Sequence, residues 1–147
     1  MQATIERTIT INAEQERVYQ MIADPEQITQ WFPSKVLEGT LEQGQTPVFE
    51  FTEQNHRARI YVEATKPHEY FAYSWVPGGD SSEVDPRTVP HTLVEFRLEK
   101  SEAGTKVTLR ESGFSKLPEA DAQVRFGQNS GGWEYMMGRL EKAFDEV

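Results

Sequence analysis

A carboxylate stands where the inward face of a strand should be apolar. Along residues 105–111, Glu111 shares parity with Val107 and Leu109, and side chains of one parity line one face of a sheet. Such a group is costly to bury without a partner. Arg7, between Ile5 and Ile9 on another alternating segment, can supply one. If Ile9 faces Leu109 and Ile11 faces Val107, the same register sets Arg7 opposite Glu111. The plain reading is a structural ion pair. The chemical reading has Glu111 and Tyr73 orient a polar group on a ligand, or act with His91 in acid–base chemistry. Glu111, Tyr73 and His91 are therefore the catalytic candidates.

Other chemistries lack their residues. The histidines His56, His68 and His91 fall in turns or at strand ends, with none of the spacings that ligate a metal. The chain has no cysteine, hence no disulfide, thiolate ligand or cysteine nucleophile. No Gly-x-Ser-x-Gly elbow or phosphate-cradling glycine loop occurs. Gly131 and Gly132 precede Trp133 inside a helical pattern, where close packing or a bend would explain them. No cofactor and no metal is expected.

Two periodicities position these residues. Trp133, Met136, Met137, Leu140 and Phe144 recur at helical spacing and make one apolar stripe on a C-terminal helix. Residues 3–11 form a strand by alternation of Ile5, Ile9 and Ile11. Asn12 with Gln15 reads as a capping box for a first short helix that buries Val18 and Ile22. Asp24-Pro25-Glu26-Gln27 opens a second, with Ile28, Trp31 and Phe32 inside and Pro33 at its end. Alternation of period two then runs through 36–41, 48–52, 57–65, 69–75, 92–100 and 105–111, with turn residues between. Strands joined by short turns pair antiparallel, so the fold class is α+β: about seven strands curved around the long helix. The 147 residues suit one domain, 1–147.

Charge narrows the partners. The formal net charge is −9, and no Lys or Arg cluster overrides it. Nucleic acid and anionic lipid both require such clusters, so neither is expected. No apolar run reaches the roughly 20 residues that span a bilayer, and the N-terminus lacks the order of a signal peptide. No membrane insertion is expected, and a cytoplasmic location is.

Arg7-Thr-Ile-Thr-Ile-Asn-Ala13, Val18, Asp24-Pro25-Glu26 and Trp31-Phe32-Pro33 resemble the opening of the activator of heat-shock protein 90 ATPase homologue family, within the START-like, birch-allergen-like (SRPBCC) helix-grip superfamily. Pro67, Tyr73 and Trp75 resemble its middle strand. Residues 105–109 with Glu111-Ser-Gly-Phe114 resemble its last strand, and Gly132-Trp133 with Leu140 its terminal helix. The resemblance implies an antiparallel sheet wrapped around a long helix over an internal apolar pocket. It does not fix an activity, because this fold serves carriers, receptors, enzymes and co-chaperones alike.

Parity selects the side chains that face such a pocket. They are Phe49 and Phe51; Ile60 and Val62; Phe71, Tyr73 and Trp75; Val94 and Phe96, with Leu98; and Leu109 and Glu111, with Val107. Trp31 and Phe32 join them from the short helix, and Phe126, Trp133 and Met137 from the long one. Each alone reads as core; as a set, aromatics and methionine suit the wall of a pocket for a flat or flexible apolar molecule. The leading expectation is binding of a small hydrophobic ligand: a lipid, an aromatic or a polyketide-like compound. A cyclase, dehydratase or hydrolase of an apolar substrate is the alternative. A protein-interaction module with a chaperone as partner is the third; co-chaperones of the name-giving branch carry an additional N-terminal domain. The pocket mouth is expected among residues 53–56, 76–90 and 113–120. The Gly- and Pro-containing middle segment would be a lid, closing Val76, Val84 and Val89 over the ligand.

Overall fold

Period-two alternation becomes one continuous sheet. The computed structural model describes residues 4–145, so Ala3, the expected start of the first strand, lies outside the described residues. The strands are β1 (Thr4–Ile11), β2 (Lys35–Leu37), β3 (Val48–Phe51), β4 (His56–Lys66), β5 (Tyr70–Trp75), β6 (Thr92–Ser101) and β7 (Gly104–Ser112). Their order is β1-β7-β6-β5-β4-β3-β2, and every neighbouring pair is antiparallel. A bulge between Val62 and Ala64 interrupts the β4–β5 register and sharpens the local twist. The segment expected to be a strand over 36–41 shrinks to β2, because Glu38 (φ 59°) and Gly39 (φ 151°) leave the extended conformation. At the β6–β7 turn, Gly104 has φ 131°, and a Cβ there would stand 2.2 Å from the Ile11 carbonyl oxygen. Only glycine fits.

The helices follow their apolar faces more closely than their expected caps. α1 (Gln15–Ala23) buries Val18, Tyr19, Met21 and Ile22. No capping box forms: Glu14 occupies the cap without a side-chain bond. Gln15 instead donates from Nε2 to the carbonyls of His68 (2.6 Å) and Leu98 (3.3 Å), lashing α1 to the sheet. Asp24 behaves as expected, its Oδ2 accepting from the amides of Glu26 (3.1 Å) and Gln27 (3.0 Å). The second helix is shorter than expected, a single 3-10 turn over Ile28–Gln30. That turn seats Trp31, whose Nε1 donates to the Met21 carbonyl at 2.8 Å, so the buried indole has its partner.

α2 (Glu119–Asp145) starts well ahead of the apolar stripe that marks it from Trp133 onward. It buries Ala122, Trp133, Met137 and Leu140 toward the concave face of the sheet. This is the helix-grip α+β architecture. Phe49, Phe71, Tyr73, Phe96, Val107 and Leu109 fill the space under the helix with at most 1% exposure. No described helix is long and apolar enough to cross a membrane.

Candidate ligand-binding site

Glu111 is the organising group of the site. It is fully buried, and four side chains converge on it. Trp75 Nε1 donates to Oε2 at 2.9 Å, and Thr92 Oγ1 to the same oxygen at 2.6 Å. Trp133 Nε1 donates to Oε1 at 2.7 Å. Asn129 Nδ2 bridges both oxygens at 3.0 and 3.1 Å. The chain supplies these donors from β5, β6 and α2, and registers Thr92 beside Trp75 and Val94 beside Glu111. Neutral donors therefore do the work expected of a cation.

The expected Arg7–Glu111 pair does not form. Glu111 lies opposite Ile5 and Arg7 opposite Leu109, a slip of two residues from the expected register. Such a slip leaves every side chain on its own face, so hydrophobic parity cannot detect it. Arg7 turns instead to Ser130 on α2, donating from Nη2 to its Oγ at 2.7 Å and its carbonyl at 3.3 Å.

Nor do the three catalytic candidates converge. Tyr73 is fully buried and its hydroxyl has no hydrogen-bond partner. Burial, and next the Glu111 carboxylate, push its ionisation well above the ordinary 10.0. His91 sits outside the cavity wall, with Nδ1 2.8 Å from the Val89 carbonyl. Glu111 has its acceptor sites occupied by the four donors. An acid–base set needs a free carboxylate acceptor and side chains that share one substrate-sized space; here Glu111 is saturated by its donors, and neither Tyr73 nor His91 lines the cavity.

A cavity of 540 Å³ opens where α2 lifts from the ends of β3, β4 and β5. Phe32, Phe51, Trp75 and Trp133 form its aromatic wall, with Ala58, Val76, Pro77 and Met136 beside them. Phe32 is the hub, its ring 5.4 Å from Phe51, 5.9 Å from Trp75 and 5.1 Å from Trp133. Because both wall tryptophans spend their N–H groups on Glu111, the indoles are held in fixed orientation. The polar lining is Gln54, His56, Arg125, Gln128 and Asn129. His56 stacks on Phe51 at 5.8 Å. Burial lowers its pKa from the ordinary 6.5, against an opposing pull from Asp80. A second recess of 370 Å³ shares Phe32, Phe51, Gln54, Tyr135 and Met136, and adds Glu53 and Arg139.

Four of the expected ligand-binding residues, Phe32, Phe51, Trp75 and Trp133, line this cavity. Trp31, Phe49, Ile60, Val62, Phe71, Tyr73, Val94, Phe96, Leu109 and Met137 are buried in the core outside its wall. Phe126 packs on Phe114 at 5.2 Å, also away from it. The reason is depth: parity says which face a side chain takes, not whether another side chain covers it. Residues missed by strand parity lie on α2, where Arg125, Gln128, Asn129, Gly132 and Met136 share the helical period of a second face. Gly132 lines the cavity, and a Cβ on Gly131 or Gly132 would meet nothing within 4 Å. Close packing is not what these glycines serve.

The expected mouth lines the cavity only in part. Gln54 and His56 lie on its wall, as do residues 76–79, but none of residues 113–120 does. The later part of the 76–90 loop is fastened outside. The Ser81 amide donates to the Arg57 carbonyl at 3.0 Å, and Arg59 Nε to the Ser82 carbonyl at 2.8 Å. Arg87 lies over the Tyr61 ring at 4.2 Å. Val84 and Val89 are accordingly absent from the cavity wall.

Several structures share the architecture. A Mesorhizobium loti protein, MLL2253, superposes with a TM-score of 0.79 at 20% identity, over 98% of each chain. The Aha1 dimer from Colwellia psychrerythraea gives 0.73 at 19% identity, over 97% of this chain and 96% of that one. DynU16, of the dynemicin biosynthetic locus, gives 0.77 at 18% identity over 99% of this chain but 48% of its own. At such identities these likenesses speak for the fold alone. No curated protein sequence matches the chain. The sequence model described as activator of Hsp90 ATPase homolog 1-like protein matches residues 12–145. By that match, which runs from the end of β1 through the whole of α2, the chain belongs to the activator of Hsp90 ATPase homolog 1-like family.

Proposed function

We propose that this protein binds a small, largely apolar molecule in the 540 Å³ cavity under α2. The supporting observation is the wall itself: Phe32, Phe51, Trp75 and Trp133 line a recess of ligand size. Ligand sites are typically about 300–1,000 Å³, mostly apolar, with a few polar groups placed to orient the occupant. The Gln54, His56, Arg125, Gln128 and Asn129 lining supplies the latter. Lipids, aromatics and polyketide-like compounds all fit this description. The similarity to DynU16, from a biosynthetic locus, is in keeping with a small organic ligand.

A chaperone-directed role draws support from the family match but little from the surface. Among the described residues, the large apolar side chains left exposed are Val89, Val124 and Tyr135. The latter two are about 16 Å apart along α2 at 1.5 Å per residue, so they form no contiguous docking patch. Catalysis has no converged set of side chains behind it.

The test is native mass spectrometry of the gently purified protein, with calorimetric titration of lipid, aromatic and polyketide-like compounds. A bound species of defined mass, or saturable one-to-one binding of one class, is expected. If no class binds at millimolar concentration, the reading fails.

A further inference from the structure

The charge distribution around the cavity is unlike that of the rest of the chain. The protein carries a formal charge of −9, yet among the described residues no Asp or Glu lines the cavity, and the one permanently charged side chain on its wall is Arg125. Four of the other eight arginines reach carboxylates: Arg57 at Glu50 (2.7 Å), Arg59 at Glu38 (3.2 Å), Arg87 at Asp85 (2.7 Å) and Arg97 at Glu95 (3.3 Å). Arg125 has no described carboxylate within 4.0 Å. Among the described residues its one side-chain bond runs from Nη1 to Gln128 Oε1 at 3.0 Å. A guanidinium has five N–H donors, so most of its capacity is unspent.

The backbone makes room for this group. Gly78 has φ 113°, and a Cβ there would stand 2.7 Å from both Cζ and Nε of Arg125. The loop thus gives up a side chain where the guanidinium lies. Of the acids of the same loop, Asp80 is engaged elsewhere, accepting from the amide and hydroxyl of Ser82 at 2.9 and 2.7 Å, and Asp85 pairs with Arg87. Along α2 the cavity face changes character. Arg125, Gln128 and Asn129 come first, then Gly132, Trp133 and Met136. Over about 16 Å of helix, at 1.5 Å per residue, the lining passes from polar and cationic to apolar.

From this we infer that the ligand is an amphipathic carboxylate, its acid group held by Arg125 and its apolar body lying toward Trp133, Phe32 and Met136. The inference rests on the ligand-binding reading above and deepens it. A planar guanidinium matches a carboxylate two-pronged, and such charge-assisted bonds are about twice as strong as neutral ones. A neutral ligand would cover Arg125 and give it nothing in return, a net desolvation cost.

Matched pairs of acid and methyl ester test it, on three skeletons: naphthalene, a ten-carbon chain and a fused tetracycle. Calorimetry at pH 7 should show the acid of at least one pair binding about tenfold or more tighter than its ester. Arg125→Gln should bring that ratio close to one, and Arg125→Lys should retain part of it. Equal binding of acid and ester overturns the inference while leaving the ligand-binding reading in place. An acid preference that survives in Arg125→Gln overturns it too, since the anion is then held elsewhere. Binding of no member of any pair overturns both.

Discussion

Trp75, Trp133, Thr92 and Asn129 all spend donors on Glu111, and this makes the residue both a stability determinant and a positioning group. Glu111→Gln presents an amide N–H₂ to groups that need acceptors. Hydrogen bonds to a charged partner contribute about 1.5–3 kcal/mol each, and unmet buried donors cost about 1–3 kcal/mol. We expect a loss of about 2–4 kcal/mol in urea unfolding, by those same magnitudes, together with a changed fluorescence of the wall tryptophans. A loss below about 0.5 kcal/mol would show that the donors do not depend on the carboxylate. Tyr73 points the other way. Its hydroxyl is buried without a partner, so Tyr73→Phe should be neutral or should stabilise by up to about 1 kcal/mol. A clear destabilisation would reveal a buried water serving that hydroxyl.

The cavity is set at the scale of elements by how far α2 stands off the sheet. Trp133, Met137 and Leu140 hold the helix down, while Gly132, one residue from Trp133, leaves open space on the flank. Gly132→Trp should therefore fill the cavity and abolish ligand binding while the circular dichroism spectrum stays native. A glycine inside a helix costs about 1 kcal/mol relative to alanine, so Gly132→Ala should raise stability by about that amount in urea unfolding. A variant that binds ligand undiminished with tryptophan at this position would place the site elsewhere. The loop after β5 divides into two halves by function. Residues 76–79 line the cavity, whereas Ser81, Ser82 and Arg87 are tied to β4, so any closing motion belongs to the first half.

Across the whole molecule, acidification should act in two windows. Burial depresses the His56 pKa below 6.5, so the unfolded chain takes up that proton first. The stability this represents is complete above the unfolded value and is lost as pH falls through it toward the lower folded one. Glu50, Asp80 and Asp85 have carboxyl pKa values held below 4.5 and 3.8, chiefly by hydrogen bonds from Arg57, Ser82 and Arg87 respectively. Their contribution persists until pH falls below the ordinary carboxylate range. The melting temperature should thus decline gently between pH 7 and 5, then steeply below pH 4.5. His56→Gln should flatten the first decline and leave the second. An unchanged profile from pH 7 to 5 in that variant would mean that His56 is not the titrating group.

How the sequence and the structure divide the answer depends on the range of the forces involved. Alternation of Ile5, Ile9 and Ile11, of Val107 and Leu109, and the stripe of Trp133, Met137 and Leu140 are local patterns. They decide which face of each element is buried, and hence an antiparallel sheet around a long helix. The turn chemistry of Asp24 is equally local. Register is not local: parity leaves Arg7 free to face Glu111 or Leu109, and tertiary packing decided for Leu109. Depth is not local either. Tyr73 and Trp75 share parity on β5, but covering layers put Tyr73 inside the core and Trp75 on the cavity wall. The site itself needs Glu111, Asn129, Trp75 and Arg125 from three elements in one place. Chain reversal and packing alone bring them there, because contacts so far apart in sequence leave no periodic trace in any one segment.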